Sequence, residues 1–204
     1  LSNINLEKSD LSNADLEGAD LSRSNINGAD LTEANLRGCQ ALRTKMDEIY
    51  AGEADFTNAD LSQASMNEAE CPDACFDGAI MEKVYLKNSD LSGSRFYCAQ
   101  MEKARLTGSN LSKCDFTNAL LTEAKIAKAD LTEAKLVQAQ MERALLAECN
   151  FSKAEIRDTN LAMANLDNSD LRKSEWNNVD LQWADLSGCK LDGVDLSSCQ
   201  LDDA

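Results

Sequence analysis

The sequence predicts an all-β solenoid whose chain turns a corner every five residues, and three observations carry that prediction. Written in blocks of five, the 204 residues put Leu1, Leu6, Leu11, Leu16 and Leu21 in one column of 41, which holds 24 Leu, 5 Phe, 5 Met and 3 Ile. The column two residues earlier is small, with 22 Ala, 7 Ser and 5 Cys. The charged side chains, 20 basic and 36 acidic, all fall in the other three columns. A period of five suits neither a helix at 3.6 residues per turn nor a strand at 2. It suits a chain that points one large and one small side chain inward on each side before it bends.

The corner chemistry agrees with that reading. The position two after the large residue holds eight of the nine glycines, Gly18, Gly28 and Gly38 among them, and seven Asn, including Asn13 and Asn58. Gly and Asn are the residues a type II turn needs where φ is positive. On these residues the chain resembles the pentapeptide-repeat family, whose unit is a small residue, Asp or Asn, Leu or Phe, then two variable positions. Ala14-Asp15-Leu16-Glu17-Gly18 and Ala129-Asp130-Leu131-Thr132-Glu133 match it directly, and the resemblance spans residues 1–204. It implies a single right-handed quadrilateral β-helix of about ten four-sided coils, each of four pentapeptides, in the manner of a one-dimensional repeat array.

Phe56, Phe76, Phe96 and Phe116 are spaced by twenty, so in such a coil they stack on one wall as a structural core. Their rings are expected at about 4.8 Å, the strand-to-strand spacing. Two stretches strain the pattern. Residues 40–53 put Ala41 and Ala51 in the large column and read either as an irregular coil or as a short helical excursion through Leu42, Met46, Ile49 and Tyr50. Cys71-Pro72 reads as a local bulge, since proline cannot donate to a ladder.

Composition narrows the function classes. The net charge of −16 works against duplex DNA and anionic membranes, both of which attract cationic surfaces. The absence of histidine removes His-based triads and His-ligated zinc. No run approaches the apolar length of a membrane-spanning helix. The opening Leu1-Ser2-Asn3-Ile4-Asn5 has the character of no part of a signal peptide. Without an initiator Met, and stopping at Ala204 in mid-pattern, the chain is expected to be either trimmed or cut from a longer protein.

Of the eight cysteines, Cys39, Cys114, Cys149, Cys189 and Cys199 lie in the small inward column and Cys71 in the large one; only Cys75 and Cys98 face outward. No two are twenty apart and there is no CxxC, so they read as reduced, buried, small apolar residues of a cytoplasmic, reducing compartment. Asp and Asn make up 20 of the 40 residues just before the large column, and their regular recurrence suits local bonds from side chain to backbone more than catalysis or calcium. A filled rod offers no cleft for unlike groups to converge, so no catalytic residues, metal or cofactor are expected.

The surface carries the remaining candidates. Asp10, Asp30, Glu33, Glu53, Glu70, Asp73 and Asp90 form an acidic stripe beside Leu11, Leu31 and Leu91. Lys87, Arg105, Lys125 and Lys128 form a basic patch, and Met163 and Trp183, twenty apart, form an exposed apolar contact. These features point to a non-catalytic interaction or scaffold module with a protein partner, end-to-end contacts or neighbouring domains in a longer chain. The alternative comes from the resemblance, since some pentapeptide-repeat proteins mimic DNA and bind type II topoisomerases such as gyrase. Against it stand the excess of Leu over Phe in the large column and the basic run from Lys87 to Lys128.

Overall fold

A computed structural model describes all residues, 1–204, as one β-helix without an α-helix. The register is set by parallel bridges between residues just before the large column and those twenty further on, from Asn5 with Asn25 to Asp180 with Gln200. On one side three bridges widen into short strands, β1 (Lys135–Val137), β2 (Glu155–Arg157) and β3 (Glu175–Asn177), paired in parallel in the order β1-β2-β3. No helix is long and apolar enough to cross a membrane.

Backbone hydrogen bonding explains why the unit is five residues long. In residues 36–40, the Leu36 amide donates to Asp55 O (2.7 Å) and the Gly38 amide to Thr57 O (2.9 Å), both in the next coil. The Cys39 amide closes the turn on Leu36 O (3.1 Å), and the Gln40 amide donates to Ala19 O in the preceding coil (2.9 Å). The remaining amide, Arg37, is taken by Oδ1 of Asn35 at 3.2 Å. Residues 36–40 thus have all five donors satisfied, four by the backbone and the fifth by the Asn35 side chain.

The turn forces the residue two after the large one into the left-handed region, glycine or not. Every residue of that column except Ser198 has positive φ, including Lys103, Met163 and Trp183. For bulky side chains that conformation is normally an outlier; here the ladder bonds on both sides hold it.

The 66 buried residues are the two inward columns between Leu21 and Ala184 and nothing else. The four phenylalanine rings stack with centroids 4.9, 5.0 and 4.8 Å apart and planes within 7° of parallel. Inward hydroxyls, and some of the inward thiols, are not orphaned: Thr44 donates to Leu21 O (2.7 Å), Ser94 to Cys71 O (2.7 Å) and Cys114 to Leu91 O (3.0 Å), each one coil back.

Two expectations change. Residues 40–53 are neither helical nor irregular, and the five-residue turn runs through them unbroken. Ile49, oversized for the small column, stands beside Ala51, undersized for the large one, and both are fully buried, so the volumes offset each other. Cys71-Pro72 makes no bulge. Pro72 occupies the one position whose amide the ladder never uses, its carbonyl still accepts from Glu53 (2.9 Å), and the turn bond from Ala74 to Cys71 lengthens to 3.4 Å. Proline at that place in a type II turn is favourable.

Candidate interaction surface

With the interior filled, chemistry is left to the outward columns, and the Asp and Asn residues just before the large column serve the fold. Each of the twenty Asp and Asn residues just before the large column accepts the amide two residues on, as Asp30 does from Thr32 (2.9 Å) and Asp90 from Ser92 (3.0 Å). Bonds from Ser12 hold the Asp10 carboxyl below its ordinary value. Asp170 is held well below the carboxylate range, first by the Arg172 guanidinium (2.9 Å to Nε) and with help from Lys190 (3.5 Å).

The acidic stripe is therefore two columns of unequal character. Asp10, Asp30, Glu70 and Asp90 follow one another along a single ladder, but Tyr50 stands between Asp30 and Glu70 with half its surface exposed. Asp10, Asp30 and Asp90 cap turns, and the Asp90 carboxylate also accepts Asn110 Nδ2 at 2.9 Å. Glu33, Glu53 and Asp73 occupy the corner column beside it. Asp73 borders a shallow polar cleft with Gly93, Asn110 and Lys113.

The basic residues divide differently from the grouping by repeat. Arg105 and Lys125 line a cleft of about 310 Å³ together with Lys83, Lys103, Tyr85 and Glu123, whereas Lys87 and Lys128 do not. Lys128 pairs instead with Glu148 (3.7 Å). The Arg105 guanidinium lies over the Tyr85 ring at 4.8 Å. Lys83 and Lys103 belong to the preceding repeat, which hid them from a reading by columns. The signal was present: the residues on either side of one inward small residue, such as Lys103 and Arg105 around Ala104, share one outer corner.

Met163 and Trp183 stand 42% and 52% exposed on that same kind of corner, with Leu145 at 44% nearby in sequence order along it. The Trp183 indole donates to Asp203 Oδ2 at 3.2 Å. A second opening lies near the last coil. Glu175 has no bridge to Asp195, Ser198 lacks the positive φ of its column, and a cleft of about 290 Å³ opens beside Trp176, Gly193 and Asp195. There the large inward residue is an indole, tilted 57° against Phe151 and donating to Ser174 Oγ at 2.7 Å. The Ser174 hydroxyl turns to Leu171 O in its own turn and not to the coil below.

The family profile of pentapeptide repeats matches residues 1–38, 46–82, 78–108 and 99–136, and that of the pentapeptide repeat region matches residues 129–204. No curated protein matches the chain. Among solved structures it is similar to HetL, a pentapeptide repeat protein involved in heterocyst differentiation regulation from the cyanobacterium Nostoc sp. strain PCC 7120. The two share 28% identity and a TM-score of 0.96, over 98% of this chain and 90% of that one. It is similar in fold to full-length QnrB1, a plasmid-mediated fluoroquinolone resistance protein, with 20% identity and a TM-score of 0.60 over 83% of this chain and 92% of that one.

Proposed function

The chain belongs to the pentapeptide-repeat family of right-handed β-helices, and on that premise we propose that it is a non-catalytic interaction module. In this reading it is a rigid four-sided rod of about ten coils that binds a protein partner through its outward side chains, in a reducing compartment. One observation carries the reading: Trp183 and Met163, both in the strained left-handed conformation, are half exposed at corners where Gly or Asn is the relaxed choice. The likeness of the whole chain to HetL, a protein of regulation, supports a regulatory role exerted through such a partner.

The test is capture of a partner, with chemical cross-linking, by the tagged chain in cells that naturally encode it. A defined partner is expected, retained by the wild type and lost with Trp183→Ala or Met163→Glu. Failure of the wild type to retain any protein rejects the module reading.

DNA mimicry towards a type II topoisomerase is the second reading, and the charge of −16 favours it. It requires inhibition of gyrase supercoiling that weakens with salt and with charge reversal at Asp30, Glu53, Glu70 and Asp90. The Tyr50 interruption and the cationic cleft around Arg105 both weigh against a continuous phosphate-like field.

A further inference from the structure

We propose that one edge of the rod is a docking strip for an acidic protein segment that ends in apolar residues, a proposal that rests on the module reading. The edge is made by the two outward residues around each inward small residue at Ser24, Thr44, Ala64, Val84, Ala104, Ala124, and so on every twenty positions.

Charge is distributed on this edge against the trend of the whole molecule. Between residues 23 and 145 it holds Arg23, Arg43 and Lys45, then Lys83, Lys103, Arg105 and Lys125, then Arg143, with Glu123 as its one acid. Those eight are two-fifths of the chain's 20 basic residues, on a protein with 36 acidic ones. Beyond Arg143 the edge carries three exposed apolar residues, Leu145, Met163 and Trp183, with Asn165 and Asp185 beside the last two. The change from cationic to apolar is a polarity that a partner can read in one direction.

The cations are arranged to receive carboxylates. Arg43 donates through Nε to Gln63 Oε1 (3.0 Å), and the Arg105 guanidinium stands over the Tyr85 ring, so each guanidinium already has a partner within the chain that holds it in place. Lys103 and Arg143 have one acidic neighbour each, Glu123 at 3.6 Å and Glu142 at 3.0 Å. Arg23, Lys45, Lys83 and Lys125 form no ion pair within the chain. From Arg23 to Trp183 there are eight coil steps, about 38 Å at the ladder spacing, the length of an extended segment of about eleven residues. The other faces, with their acidic excess, repel a broad polyanion such as duplex DNA or an anionic bilayer, whereas one narrow chain fits along the edge.

The experiment is a titration of a fluorescent peptide of about twelve residues, Asp and Glu in its first two-thirds and Leu and Phe in its last third, against the full chain. Wild type is expected to bind it in a salt-sensitive way, with Lys103→Glu/Arg105→Glu weakening affinity about tenfold or more and Trp183→Asn about fivefold. Glu53→Lys, on another face, is expected to leave affinity unchanged. Lys103→Gln/Arg105→Gln serves if charge reversal disturbs folding, and it is expected to weaken binding in the same direction. Absence of wild-type binding at about 100 μM peptide, equal weakening by Glu53→Lys, or tighter binding of anionic vesicles or duplex DNA at the same residues overturns the strip. A partner captured from cells, lost with Trp183→Ala but retained by Lys103→Glu/Arg105→Glu, overturns the strip while leaving the module reading standing.

Discussion

The ring of Phe96 lies flat on the ring of Phe116, with centroids 4.8 Å apart and planes 7° from parallel. That separation lies within the range of favourable parallel stacking of aromatic rings. The ladder sets that separation, since it holds consecutive coils one strand spacing apart. Phe96→Ala is expected to lower stability by about 3–5 kcal/mol by leaving a cavity between two rings. Phe96→Leu, the commonest residue of the column, should cost less than about 1.5 kcal/mol. Phe96→Asp buries an unpaired carboxylate and should unfold the array. Denaturant unfolding followed by circular dichroism checks all three.

Thr44 tests the inward polar ladder. Thr44→Val removes the bond to Leu21 O, but that carbonyl still accepts the Ser24 amide at 3.0 Å, so no acceptor is stranded. The loss should be about 0.5–1.5 kcal/mol in denaturant unfolding.

Thiol reactivity should follow burial. Burial pushes the Cys39, Cys71 and Cys149 thiols up to about 12 and raises Cys114 as well, while Cys98 is exposed. A neutral-pH thiol reagent is expected to show a fast phase that Cys98→Ser abolishes. The four buried thiols should react only after unfolding.

Acid should weaken the C-terminal coils through Asp170. Its folded pKa is depressed, so its pairing contributes stability above the unfolded value of about 3.9 and loses it as pH falls through the depressed folded value. Thermal unfolding measured from pH 7 downward should therefore show a loss beginning below about pH 4. Asp170→Asn should start less stable at pH 7 and lose less on acidification.

Trp183 should separate stability from binding. Trp183→Asn replaces a bulky residue at φ 57° with one that tolerates that region, relieving a conformational cost of about 1–2 kcal/mol. An unchanged or higher melting temperature, together with weaker peptide binding, is the expected outcome.

Much of this was legible in the residues themselves. The inward columns, the twenty-residue spacing of the phenylalanines and the local use of Asp and Asn all follow from a five-residue unit repeated about forty times, because each repetition obeys the same steric and hydrogen-bonding demands. The readings that changed share one cause. Ala51 looked wrong for its column, and Pro72 for a ladder, only while each was judged alone. Ile49 supplies the missing volume, and the ladder asks nothing of the amide that Pro72 lacks.

Which side chains point inward and where the corners fall can be read from the residues alone, since both are properties of the single repeat. The tertiary structure decided which outward residues become neighbours. Lys83 and Lys103 belong to one repeat series and Arg105 and Lys125 to the next, and the fold joins them because the corner between the series is a shared surface. It also decided that the ladder opens between Glu175 and Asp195. Those contacts lie across a bend or across twenty residues of chain, and they exist only once the coil has closed.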